Sequence, residues 1–234
     1  MGLDVYVGTL TRYYSGQWET AVQAMGKEPG KSITVVYPDG APERPSPEDA
    51  EQAIVAWRSQ LSDALEQSIK RPLSWPEGLE APYFTDKPAW DAYGALLVWA
   101  ALEQRPGEGL PLTAESWEKN QALAEVWQAP REARYPALLL DVELWLPGDE
   151  TLVFRAGDPT GKEIGIAFTG ALLRDLRELN ERTWKATPAD ISRWRFAGAE
   201  FGGPFEVSAK FGFAVLCELA QSAVESTLPL KLDY

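Results

Sequence analysis

The chain has 234 residues and carries 35 acidic against 22 basic side chains, a net charge of −13. That field repels phosphate backbones and anionic lipid, and no Lys/Arg stripe offsets it, so nucleic acid and membrane are not expected partners. Histidine is absent and cysteine occurs once, at Cys217. This argues against a Ser-His or Cys-His nucleophile and against zinc, and rules out an internal disulfide.

The opening MGLDVYVG lacks the basic start and long apolar run of a secretory signal. No apolar run approaches the roughly 18–20 residues of a membrane span. The expected compartment is the cytosol. The length suits one α+β domain, 1–234, with a possible helical subregion at 46–128, and needs no disulfide or metal to fold.

In chain order, Leu3 to Val7 alternates as a short strand, and Thr9 to Trp18 reads as a turn-rich link. Thr20 to Met25 predicts a short helix that Gly26 and the Glu28-Pro29-Gly30 turn would end. Ser32 to Tyr37 is a β-branched strand, and Pro38 to Pro47 is a proline-rich loop. Ser46 is a good N-cap with Pro47 at the first helical position, opening a helix with the stripe Ile54, Trp57, Leu61 and Leu65 that must end before Pro72. An ordered loop rich in proline and aromatics runs from Arg71 to Phe84. Lys87 to Gln104 is a helix apolar all round at its middle, as expected of one packed on several sides. Thr113 and Ser116 start a further helix carrying Trp117, Leu123 and Trp127.

The firmest pattern lies at 137–168. Leu138, Leu140, Val142, Leu144 and Leu146 alternate at period two, followed by Leu152, Phe154 and Ala156, then Ile164, Ile166 and Phe168. This predicts a three-stranded β-meander. A three-residue Pro147-Gly148-Asp149 turn would put Leu144 opposite Leu152, and a five-residue loop, Gly157 to Gly161, would put Phe154 opposite Ile164. Arg155 then sits between Asp141 and Glu163 as a surface charge ladder. Thr169 would cap a helix whose Leu172, Leu173, Leu176 and Leu179 cover the meander while Asp175 points outward. A short helix follows Thr187-Pro188, a largely apolar one runs from Phe205 to Val224, and the tail LPLKLDY adds an edge strand. The expected fold is α+β, with a mostly antiparallel sheet and helices packed on one face.

No cofactor signature is present and none is expected. Gly30-Lys31-Ser32 lacks the earlier glycine, the preceding strand and the following helix of a phosphate loop. Asp141 and Glu143 are the obvious carboxylate pair for acid–base work, yet two acids on a wet strand face are ordinarily solvated. Ten tryptophans are the compositional oddity. Trp57, Trp90, Trp117 and Trp127 fall at core positions of helices, whereas Trp18 and Trp75, in loop-like segments, and Trp145, on the wetter face of its strand, are the better candidates for an aromatic recognition surface. Arg12, Tyr13, Tyr14 and Trp18 crowd into seven residues beyond a strand end, where loops on rigid scaffolds carry binding groups. Those six residues, Arg12, Tyr13, Tyr14, Trp18, Trp75 and Trp145, form the expected binding set. The bland alternative has Tyr13 and Tyr14 capping the core and Arg12 paired with a carboxylate.

Together these features predict a non-catalytic binding protein, in its most specific form an acidic inhibitor or immunity-type protein covering a basic protein partner. The rival is a carboxylate- or Mg-dependent hydrolase of a sugar or phosphate ester, which a deep pocket with two carboxylates would favour. A third reading is a structural subunit with a large apolar self-interface.

Overall fold

The computed structural model describes residues 3–25, 44–105, 109–114, 116–200 and 202–234. The expected strand at 32–37 and the turn at 28–30 lie outside these residues, as does most of the 38–47 loop. Among the described residues the strands are β1 (Asp4–Val7), β2 (Phe84–Asp86), β3 (Leu144–Leu146), β4 (Phe154–Gly157), β5 (Glu163–Phe168) and β6 (Leu230–Asp233). They form one six-stranded sheet in the order β2-β1-β6-β3-β5-β4. The helices are α1 (Leu10–Ser15), α2 (Ala21–Met25), α3 (Pro47–Ile69), α4 (Trp90–Glu103), α5 (Gln121–Gln128), α6 (Pro136–Leu139), α7 (Thr169–Arg182), α8 (Pro188–Ala197) and α9 (Phe205–Ser226). The architecture is α+β.

The sheet is mixed rather than mostly antiparallel, because β3 pairs parallel with β5 and antiparallel with β6. The predicted meander does not form. Pro136 starts a helical turn instead of a strand, and Asp141 takes a left-handed conformation at φ 51° that ends any extended run. Only Leu144–Leu146 of the alternating stretch is a strand. The β4–β5 hairpin does form, with Phe154 opposite Ile166 and Ala156 opposite Ile164. That is two residues from the expected register, which keeps every side chain on its expected face. The ladder around Arg155 is present, at 3.1 Å from Asp141 and 3.0 Å from Glu163.

The tail is a strand but not an edge. Strand β6 lies between β1 and β3, and Leu230, Lys231 and Leu232 are all buried. Both faces of the sheet are covered, which corrects the one-face expectation. The Tyr6–Lys231 register places these two residues on one face, where α1 meets them. The Tyr13 ring packs on Tyr6, and the Lys231 ammonium lies over it. Helix α3 packs on α1, and the Trp57 indole donates to Gly157 O at the β4 edge. The opposite face carries Val5, Val7, Leu230, Leu232 and Trp145, under α4, α6, α7 and α9.

Local signals work where they are complete. Ser46 caps α3, its hydroxyl accepting from Asp49 N–H at 3.1 Å, and Thr187 forms a capping box with Asp190. Thr169 is already helical and makes no cap bond. Asp175 points inward, not outward, and accepts from Ala137 N–H at 2.8 Å. The turn-rich link from Thr9 contains α1, a single turn and a half capped by Thr9 and closed by Gly16 at φ 71°. Six residues are too few to show a helical stripe. Helix α9 is long and apolar enough by length and composition to cross a membrane, although no such run is expected from the sequence. In the fold 56% of that stretch is buried, packed chiefly on α4.

Candidate functional site

The expected binding residues divide between two sides of the molecule. Arg12, Tyr13, Tyr14 and Trp18 do come together, in one aromatic cluster with Tyr6. Tyr13 stacks on Trp18 at 5.7 Å and meets Tyr14 edge-on at 5.0 Å. Their polar atoms turn inward. Tyr13 donates to Asp233 at 2.6 Å and Tyr14 to Asp158 at 2.8 Å. Arg12 donates to the carbonyls of Gln17 and Ala81 and lies over the Tyr83 ring, so its partners are not the carboxylate expected. Burial, and then the charges of Asp233 and Asp158, raise both tyrosine hydroxyls above their ordinary range.

Trp75 and Trp145 are not surface residues. Trp75 is buried with the Arg58 guanidinium over its ring, and its indole donates to Glu77. Glu77 in turn accepts from Thr11 N–H, tying the 71–84 loop to α1. Trp145 is fully buried and donates to Ala137 O at 2.7 Å, because α6 covers the strand face expected to be wet.

A pocket of about 170 Å³ opens on the other face of the sheet. Trp90 and Tyr93 enter it from the first turns of α4, Trp117 from a 3-10 turn, and Trp127 from α5. Leu138 and Leu139 of α6 close one side, Leu97, Val142 and Leu232 add apolar surface, and Asp141, Glu143 and Tyr234 complete the lining. The rings are not parallel. Trp90 lies 5.3 Å from Trp117 and 5.4 Å from Tyr234, tilted 54° to each, and Tyr93 stands at 90° to Trp117. They make a concave wall.

Glycines set two of these positions. A Cβ at Gly94 would collide with the Trp117 ring, so the turn of α4 beneath that indole has no room for a side chain. A Cβ at Gly165 would collide with Asp141 O, and Glu143 N–H bonds Gly165 O at 2.9 Å, which holds the 141–143 bend on β5. Asp175 supports the pocket from behind by holding α6, whose Leu139 O accepts the Trp127 indole at 2.8 Å. Burial, only partly offset by bonds from Ala137 and Leu138, pushes the Asp175 carboxyl up to about 7.

The two carboxylates of the pocket each hold a cation. Lys162 Nζ is 2.8 Å from Glu143 and lies 5.6 Å from the centre of the Tyr234 ring. Arg155 holds Asp141. Both cations are about half exposed, at 58% and 52%. Burial and then Glu143 raise the Tyr234 hydroxyl above the tyrosine range. The Trp117 indole N–H is buried with no partner among the described residues, whereas those of Trp90 and Trp127 bond Glu118 and Leu139 O.

No family model, curated protein or solved structure matches the chain. Function therefore rests on the geometry.

Helical spacing alone assigns Trp90, Trp117 and Trp127 to helix cores, and strand alternation assigns Asp141 to the ladder. Neither pattern carries a signal for Lys162 or Tyr234 as rim residues, since their convergence depends on the central placement of β6. A larger hollow, about 800 Å³ and open, runs along α7. Its arginines are engaged locally, Arg174 with Asp149 O, Arg177 with Gln221 and Arg182 with Glu103, and no aromatic lines it. Among the described residues no cluster of three or more acids or thiols could hold a metal ion.

Proposed function

We propose that the protein is a non-catalytic binding protein of the cytosol that covers a basic protein partner and takes one of its cationic side chains at the aromatic pocket. One observation carries this reading: the rim already holds an ammonium, that of Lys162, between the Glu143 carboxylate and the Tyr234 ring. A carboxylate and an aromatic face are the two groups that recognise a desolvated cation. The Arg155–Asp141 pair is exposed on both sides, and such pairs contribute little, about 0–1 kcal/mol, so Arg155 can give way to a partner's cation. The net charge of −13 would speed encounter with a basic surface. A shallow hollow of about 440 Å³, lined by Trp127, Pro130, Leu140 and Asp141, adjoins the pocket and offers space for the partner's chain beside the captured group.

A hydrolase is the second reading, favoured by finding Asp141 and Glu143 in one pocket. Against it, each carboxylate is held by a cationic side chain, Asp141 by Arg155 and Glu143 by Lys162. Turnover of aryl glycosides or phosphate esters that Glu143→Gln abolishes would establish the hydrolase instead.

Titration of the protein with a lysine-rich peptide, followed by tryptophan fluorescence, tests the binder. Binding should weaken about tenfold or more in the Asp141→Asn/Glu143→Gln double variant and fall steeply with salt. An affinity indifferent to both would remove the pocket from the function.

A further inference from the structure

The interior of the pocket differs from its rim in what it can satisfy. Five rings, Trp90, Tyr93, Trp117, Trp127 and Tyr234, form the walls. The indoles of Trp90 and Trp127 are engaged, and that of Trp117 is a donor. The anionic oxygens are those of Asp141 and Glu143, already held by Arg155 and Lys162. A primary ammonium brings three N–H donors and a guanidinium five. Either would enter a space rich in ring faces and poor in open acceptors, and each donor left unpaired costs free energy. A fully methylated ammonium has no N–H to satisfy. It keeps the positive charge, sheds water more readily, and gains attraction from every ring face it meets. The size agrees: about 170 Å³ is the share of roughly five to six waters at about 30 Å³ each, which is room for one nitrogen and four carbons.

We propose that the pocket selects a methylated ammonium, carried by a methylated lysine of the basic partner. This rests on the basic-partner reading and names the group that enters. The methylated head lies among Trp90, Trp117 and Tyr234, the lysine stem leaves past Trp127 and Asp141, and the flanking peptide lies in the adjoining hollow. Lys162 limits access for unmodified lysine, because it already holds Glu143, the acceptor that a primary ammonium would need.

The test is calorimetry on the full chain with one lysine-centred basic peptide in unmodified, trimethylated and acetylated forms, with tetramethylammonium and choline as free head groups. The trimethylated peptide should bind about tenfold or more tighter than the unmodified one, and tetramethylammonium should compete with it. Tyr234→Ala and Trp90→Phe should each erase most of that preference in proteins whose circular dichroism is unchanged. Lys162→Met should narrow the preference by strengthening the unmodified peptide. Equal or tighter binding of the unmodified peptide overturns the methyl selectivity and leaves the basic-partner reading intact. Acetylated peptide binding as well as trimethylated, or no binding by any form, overturns both. Binding of choline or tetramethylammonium with no preference among the peptides overturns the methyl-lysine source.

Discussion

The two faces of the sheet beside β6 carry nearly the same kinds of residue and use them in opposite ways. Around α1 gather Tyr6, Tyr13, Tyr14 and Trp18 with Asp158, Asp233 and Lys231. Around the first turns of α4 gather Trp90, Tyr93, Trp117, Trp127 and Tyr234 with Asp141, Glu143 and Lys162. On the α1 face the Tyr13 and Tyr14 hydroxyls end on carboxylates, and the ammonium lies over Tyr13 with its pKa lowered by burial. On the α4 face a void remains, and the cations sit at an exposed rim. What separates the two faces is not aromatic and acidic composition but the volume left over after folding.

The same contrast separates two buried aspartates. Asp175 and Asp158 are 8% and 6% exposed. Burial dominates at Asp175 and raises its carboxyl to about 7. Burial also acts on Asp158, but bonds from Thr160 and Tyr14 outweigh it and hold that carboxyl below its ordinary range. One acid is costly to ionise, and the other is held ionised by its partners.

The largest expected effect follows from Asp175. Its folded pKa lies above the ordinary 3.8, so its stabilising contribution is complete below about pH 4 and is lost as pH rises through about 7. At roughly 1.4 kcal/mol per unit, that is up to about 4 kcal/mol. Asp175→Asn should flatten the decline of urea stability between pH 4 and 8, and an unchanged slope would show that another group drives it. Next is Asp158→Ala, which strands the Tyr14 and Thr160 hydroxyls and the amides of Thr160 and Lys162. A loss of about 3 kcal/mol at neutral pH is expected. The sign is opposite to that of Asp175: the Asp158 contribution is present above the ordinary carboxyl range and fades as pH falls through its depressed pKa. Denaturation curves for the parent and Asp158→Ala should therefore converge in acid.

Gly94→Ala tests the pocket wall. Helix propensity alone favours alanine by about 1 kcal/mol, yet the Trp117 ring occupies the space, so a net loss of about 2 kcal/mol and weaker peptide binding are expected. A stabilised variant with intact binding would mean that the ring yields freely. The smallest effect is expected at Tyr14→Phe, about 1 kcal/mol in stability with pocket affinity unchanged. A change in affinity would show that the two faces of the sheet are energetically coupled.

Several features were legible in the sequence because they depend on neighbours along the chain. Ser46 and Thr187 each needed only the next few residues to form a cap, and the leucine stripe of α7 follows the helical period. The Arg155 ladder survived a two-residue error in register because alternation preserves the face. The stretch Pro136–Pro147 failed for a definite reason. Period two in short apolar runs does not exclude a helical turn, and Pro136 and Asp141 took conformations that broke the strand. The lysine in LPLKLDY suits an edge strand, where charge blunts pairing, but in the fold it lies in the interior against the Tyr13 ring.

Sequence by itself determined the α+β class, most helix positions, the acidic field and the want of histidine chemistry. These follow from local periodicity, capping and composition. Tertiary structure alone decided that β6 is central, that helices cover both faces, and that Trp90, Trp117, Trp127 and Tyr234 meet around a void. Strand order and convergence depend on contacts between residues far apart in the chain, and no local propensity encodes them.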